Sequence, residues 1–191
     1  MSPITSTLAN SSAYGYRSFA AAAAGAYESI STITLGSTGG VSFTSIPSTY
    51  KHLQLRCSLI GNDASLITVR YNGDTGANYA RHWIFGDGTN VLLNGEQNMS
   101  YWRGGVTPTS GTTTTSFTPV IIDIHDYAST KYKTSRSFNG FDLNGTWGQG
   151  VYMLSGLWMN SSAINQIDLN IQTSNGFIAG SVFSLYGIKG E

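Results

Sequence analysis

Between His52 and Leu59 the chain alternates without a break. Leu53, Leu55, Cys57 and Leu59 are apolar, and His52, Gln54, Arg56 and Ser58 between them are polar. A period of two is the mark of a strand with one face in a core and the other in water. A helix would spread the same apolar residues around its axis. Pro47 marks a turn just ahead of this run. The next run, Leu66-Ile67-Thr68-Val69-Arg70-Tyr71, alternates as well and ends at the turn pair Asn72-Gly73. With Gly61-Asn62-Asp63 between them, the two runs read as a hairpin.

The rest of the chain repeats this theme. A strand starts at Tyr27 and closes at Ile33 and Leu35, and Val41, Phe43 and Ser45 alternate in the next. Asp74 to Asn78 reads as a loop, Tyr79 to Phe85 as a strand, and Gly86-Asp87-Gly88 as its stop. Residues 89–115 yield little beyond a short strand at Tyr101-Trp102. Phe117 to Ile124 is apolar almost throughout from Val120, which predicts burial on both faces. Ser135 to Phe141 forms a further strand. In Val151 to Met159 one face carries Val151, Met153 and Leu157, and the other Tyr152, Leu154 and Trp158. Ile167, Leu169 and Ile171 alternate cleanly, and Phe177 to Ile188 is the last strand. About eight to ten short strands, with turn signals between them and no sustained helical period, predict an all-β fold. The expected architecture is an antiparallel β-sandwich, jelly-roll-like, over residues 27–191.

Residues 1–26 differ. Ser, Thr, Ala and Gly dominate, with Tyr14, Tyr16 and Phe19 as the large groups. The alanine run after Phe19 is too short to stand alone as a helix. The segment reads as an extended N-terminal arm that orders against a neighbouring subunit or a larger assembly, with Tyr14, Tyr16, Arg17 and Phe19 as its contacts. The same run is short and lacks a basic start, so no cleaved signal is expected. No stretch approaches the ~20 apolar residues of a membrane helix.

Charge narrows the function. Lys and Arg number 10, Asp and Glu 10, and charged residues are 10% of the chain. A nucleic-acid binder needs clustered Lys and Arg against phosphate, so neither nucleic acid nor an anionic membrane is an expected partner. Ser and Thr make up roughly a quarter of the residues, so the surface is polar but weakly charged. Cys57 is the single cysteine, which excludes an internal disulfide, and its place on the apolar side of its strand reads as core.

Residues with chemistry are sparse. His52 and His82 fall at polar strand positions, and Asp123-Ile124-His125-Asp126 is the densest titratable cluster. It reads as a strand end with Asp126 holding turn amides, not as a metal site. Turn chemistry accounts for Asn72-Gly73-Asp74 and Gly86-Asp87-Gly88, which lack the acidic spacing of an EF-hand. No phosphate loop or nucleophile elbow occurs. The expectation is a protein that is not an enzyme and holds no cofactor, metal or catalytic residues. Trp102 and Trp147 lie in Gly-rich stretches and are the candidate ligand or receptor contacts.

Several motifs follow one another along the chain: Tyr27-Glu28-Ser29-Ile30, Phe43-Thr44-Ser45-Ile46-Pro47-Ser48-Thr49-Tyr50-Lys51-His52-Leu53-Gln54-Leu55-Arg56, Arg70-Tyr71-Asn72-Gly73-Asp74-Thr75-Gly76-Ala77-Asn78-Tyr79, Ser155-Gly156-Leu157-Trp158-Met159-Asn160 and Ser184-Leu185-Tyr186-Gly187-Ile188-Lys189-Gly190. As a set they resemble small virion proteins of tailed bacteriophages, cyanophage-like structural and tail fibre proteins, over nearly all of residues 27–190. The opening Ala13-Tyr14-Gly15-Tyr16-Arg17-Ser18-Phe19 resembles the arm of some members. The resemblance implies a virion protein made in the host bacterial cytoplasm, assembled as an oligomer, most often a homotrimer. Its partners would be other proteins of tail, neck or capsid, and its loops could meet a host surface glycan. A tail or neck appendage is the leading expectation. A capsid decoration protein is the first alternative, and a carbohydrate-binding or glycan-degrading module the second. A depolymerase usually needs paired carboxylates in a cleft, which the acidic residues here do not supply.

Overall fold

Twelve strands and no helix make up the described part of the chain in a computed structural model, which describes residues 25–61, 65–108, 117–142, 149–173 and 176–190. In chain order the strands are β1 (Tyr27–Thr34), β2 (Val41–Phe43), β3 (His52–Leu59), β4 (Ser65–Tyr71), β5 (Tyr79–Gly86), β6 (Val91–Met99), β7 (Trp102–Thr107), β8 (Thr118–Ile124), β9 (Lys133–Phe141), β10 (Gly150–Trp158), β11 (Ile167–Ile171) and β12 (Val182–Ile188). An eight-stranded sheet runs β1-β12-β3-β8-β9-β10-β5-β6, and a four-stranded sheet runs β2-β11-β4-β7. Every pairing is antiparallel. The all-β, jelly-roll-like sandwich of the sequence reading is what the chain forms.

The core lies between the sheets. Leu53, Leu55, Cys57 and Leu59 face inward from β3, Val120, Ile122 and Ile124 from β8, and Phe183 and Leu185 from β12. Val41, Phe43, Ile67, Val69, Tyr71, Ile167, Leu169 and Ile171 meet them from the small sheet. Cys57 is a buried core residue, its thiol pushed up to about 12 by burial.

Two expectations need correction. Residues 52–71 do not form a hairpin. β3 pairs with β12 and β8 in the large sheet, whereas β4 pairs with β11 and β7 in the small one. The chain crosses from one layer to the other, and Gly61 is bridged to Phe177 on the way. Alternation says that one face is buried; it does not say in which sheet. Phe117 to Ile124 is not buried on both faces either. Val120, Ile122 and Ile124 are buried, but Ile121 is 42% exposed.

The small sheet does not cover the whole of the large one. β7 packs against β10, β9 and β5, while β6 packs chiefly on β5. β6 is therefore an edge strand with both faces largely open, and Val91, Leu92 and Leu93 are all exposed. The described part of the arm is limited to its last residues at β1, so Tyr14, Tyr16, Arg17 and Phe19 lie outside the described residues.

Candidate functional site

The outward face of the large sheet is divided in two. Across β1, β12 and β3 it is polar. Arg56 lies against the rings of Tyr27 and Tyr186, at 5.0 and 5.1 Å, and its Nε donates to Gln54 Oε1 at 2.7 Å. Gln54 Nε2 in turn donates to Asp123 Oδ1 at 2.7 Å. These contacts spread one guanidinium charge over two aromatic faces and fix its geometry.

From β8 onward the same face turns apolar. Ile121 on β8 is the register partner of Phe138 on β9, Phe138 of Met153 on β10, Met153 of Ile84 on β5, and Ile84 of Leu93 on β6. A straight row thus crosses five adjacent strands, about 19 Å at the usual strand spacing. All five side chains are exposed, Met153 by 58% and Leu93 by 76%. Val151 and Val91, two residues along their strands, widen the row. Together these seven residues leave roughly 700 Å² of side chain open to water, above the ~300–600 Å² of the largest apolar patch on a typical monomer.

The row is contoured. A groove of about 590 Å³ runs along it, lined by Pro119, Ile121, Phe138, Gly140, Gly150 and Val151. Gly150, at its margin, sits at φ +150°, and a Cβ there would come within 2.4 Å of the Gly86 carbonyl oxygen and the Phe85 ring, so a larger residue does not fit. A second hollow of about 390 Å³ lies where the row meets His82, Arg136 and Ser155. Asp123, Arg136, Ser155 and His82 are themselves successive register partners and form a polar flank to the row.

On the inner side, where the small sheet ends, a charged cluster replaces the core. Arg81 is 3% exposed and donates through Nε to Glu96 Oε2. Its guanidinium lies 5.0 Å from the Tyr101 ring, and that of Arg103 lies 5.2 Å from the Trp83 ring. The hydrogen bond from Arg81 holds the Glu96 carboxyl below its ordinary value, while burial and then the Arg81 charge lower that of Arg103. The pair seals the sandwich margin where β6 overhangs.

The sequence-derived contacts fall elsewhere. Trp102 is not a ligand contact. It lies on β7 at 0% exposure, and its Nε1 donates to Tyr71 Oη at 3.0 Å. Its ring packs directly over Gly156, where a Cβ would come within 2.5 Å of it. The short strand expected at Tyr101-Trp102 is β7, and its glycines allow close packing. Trp147 lies outside the described residues. His52 is half-buried and its Nδ1 accepts the Asp126 amide at 3.0 Å, while His82 is exposed. Among the described residues, no three of His, Cys, Asp and Glu gather as metal ligands. The row itself was present in the sequence as apolar residues on both faces of β5, β8 and β10. On β8 the two-sided apolarity reads as burial on both faces, whereas Ile121 is exposed.

No family model and no curated protein matches the chain. Among solved structures it is similar to galectin-Ib of Xenopus laevis, at 15% identity and a TM-score of 0.26, over 69% of this chain and 99% of the galectin. So distant a likeness decides nothing about what this chain binds.

Proposed function

We propose that this chain is a non-enzymatic structural component of a tailed bacteriophage virion, an appendage protein of the tail or neck that works as an assembled oligomer. The observation that carries this reading is the exposed apolar row from Ile121 to Leu93. A soluble monomer gains nothing from five large apolar side chains aligned in water, whereas a subunit buries them when it assembles. The ordered set of motifs over residues 27–190 supports the phage setting, and the weakly charged Ser/Thr surface suits a particle protein. Exposed loops at the sandwich ends are the natural place for contact with the host surface.

Quantitative mass spectrometry of purified particles, scaled to the major capsid protein, tests the reading. A few to a few dozen copies per particle is the expected result. Hundreds of copies would replace the appendage by a capsid decoration protein. Absence from particles would overturn the virion reading and return a glycan-binding module to the front.

A further inference from the structure

We propose that the apolar row is covered by a second copy of this chain, in a two-fold contact centred on Met153. The inference deepens the assembly reading above and rests on it for the claim that the row is buried at all.

Three features select a second copy as the occupant. The first is area. The ~700 Å² on offer is close to the ~800 Å² that each partner contributes to a standard stable interface. The second is the order of the row. β10 is the middle of the five strands, with β9 and β8 on one side and β5 and β6 on the other. A two-fold axis along β10 lays Met153 on its own counterpart, Phe138 on Ile84, and Ile121 on Leu93. Apolar meets apolar at every position, which an isologous contact requires. The parallel row obeys the same symmetry, since Val151 falls on itself and Pro119 falls on Val91. The third is charge. No charged residue lies within the row itself; Arg136 flanks it on one side, and Asp87 and Asp142 stand at the end of its groove on the other. Arg56 bounds it at one end and stays engaged with Tyr27 and Tyr186. Two sheets packed face to face in this way sit about 10 Å apart with interdigitated side chains, as in a sandwich core.

The test uses the full 191-residue chain. Sedimentation equilibrium is expected to show self-association. Phe138→Lys and Leu93→Lys should each raise the dissociation constant tenfold or more, because each places an unpaired charge in the desolvated contact. Both positions are solvent-exposed in the single chain, so the melting temperature of the variants should match that of the wild type at dilutions where the wild type has also dissociated. As an independent check, Met153→Cys should be cross-linked into a dimer by a short bismaleimide, which spans the gap between facing sheets that a disulfide does not, whereas Lys131→Cys, on the exposed turn between β8 and β9, should not. Cys57 is buried and does not confound the experiment. A wild-type chain that remains monomeric at about 100 μM, far above the micromolar dissociation constant of even a weak dimer, or an oligomer unaffected by both lysine variants, overturns the inference. The two readings fail separately. A monomeric chain whose Phe138→Lys variant no longer joins particles overturns the second copy and keeps the assembly role. A chain that dimerises through Met153 but is absent from particles overturns the virion role and keeps the dimer.

Discussion

At Tyr71 three polar groups satisfy one another where water does not reach. The Tyr71 hydroxyl accepts from Trp102 Nε1 at 3.0 Å and lies 2.6 Å from Ser135 Oγ, and Tyr71 is fully buried. Burial first, opposed by these hydrogen bonds, raises its phenol above the ordinary value, so the group stays neutral. Tyr71→Phe should cost about 1–3 kcal/mol, because the Trp102 N–H loses its acceptor in a dry site. Urea unfolding followed by Trp fluorescence reads the loss as a lower midpoint. A pH effect arises at His52. Partial burial, and then the neighbouring His125, lower its pKa, and its Nδ1 must stay unprotonated to accept the Asp126 amide. Asp126, Lys51 and Asp123 also face it, the two carboxylates raising the pKa and the lysine lowering it. The unfolded chain, with a pKa near 6.5, therefore binds the proton first as pH falls. Stability should be full above about pH 6.5 and decline below it until the folded histidine also protonates. His52→Gln should flatten the urea midpoint between pH 7 and 5. An unchanged slope would remove His52 from the account.

Elements are held in register by close approaches that tolerate no extra atom. Gly156 on β10 lies under the Trp102 ring, where a Cβ would come within 2.5 Å. Gly156→Ala should cost about 1–3 kcal/mol through overpacking, read as a lower melting temperature. At this scale much was legible in the sequence. Leu53 to Leu59 and Ile167 to Ile171 alternate, and all of their apolar members are buried. Sheet membership was not legible, since β3 and β4 share one pattern yet pair in different sheets. β6 was not legible either. Asn94-Gly95-Glu96-Gln97-Asn98 carries no strand signal, and the segment is a strand because β5 offers it an edge to pair with. Arg81 is buried with Glu96 opposite it, a pairing that no local pattern shows. Trp102 reads as a candidate contact and is core. In each case the missing information is the identity of the cross-strand neighbour, which a local pattern does not carry.

At the scale of the molecule, the sandwich is asymmetric. Eight strands back onto four, so the β5–β6 end has less cover inside, and the β8–β6 half is apolar outside. An exposed edge strand bearing Val91, Leu92 and Leu93 is a liability in an isolated chain. It becomes an asset once a partner lies over it. A subunit at work keeps the row buried. Met153 reports this directly, since it stands at the centre of the row and its thioether oxidises to the sulfoxide only when peroxide reaches it. Peroxide oxidation of the full chain, followed by peptide mass spectrometry, should show Met153 oxidised several-fold more slowly in the assembled wild type than in the Phe138→Lys variant. Equal rates in the two would mean that nothing covers the row, and would contradict the account.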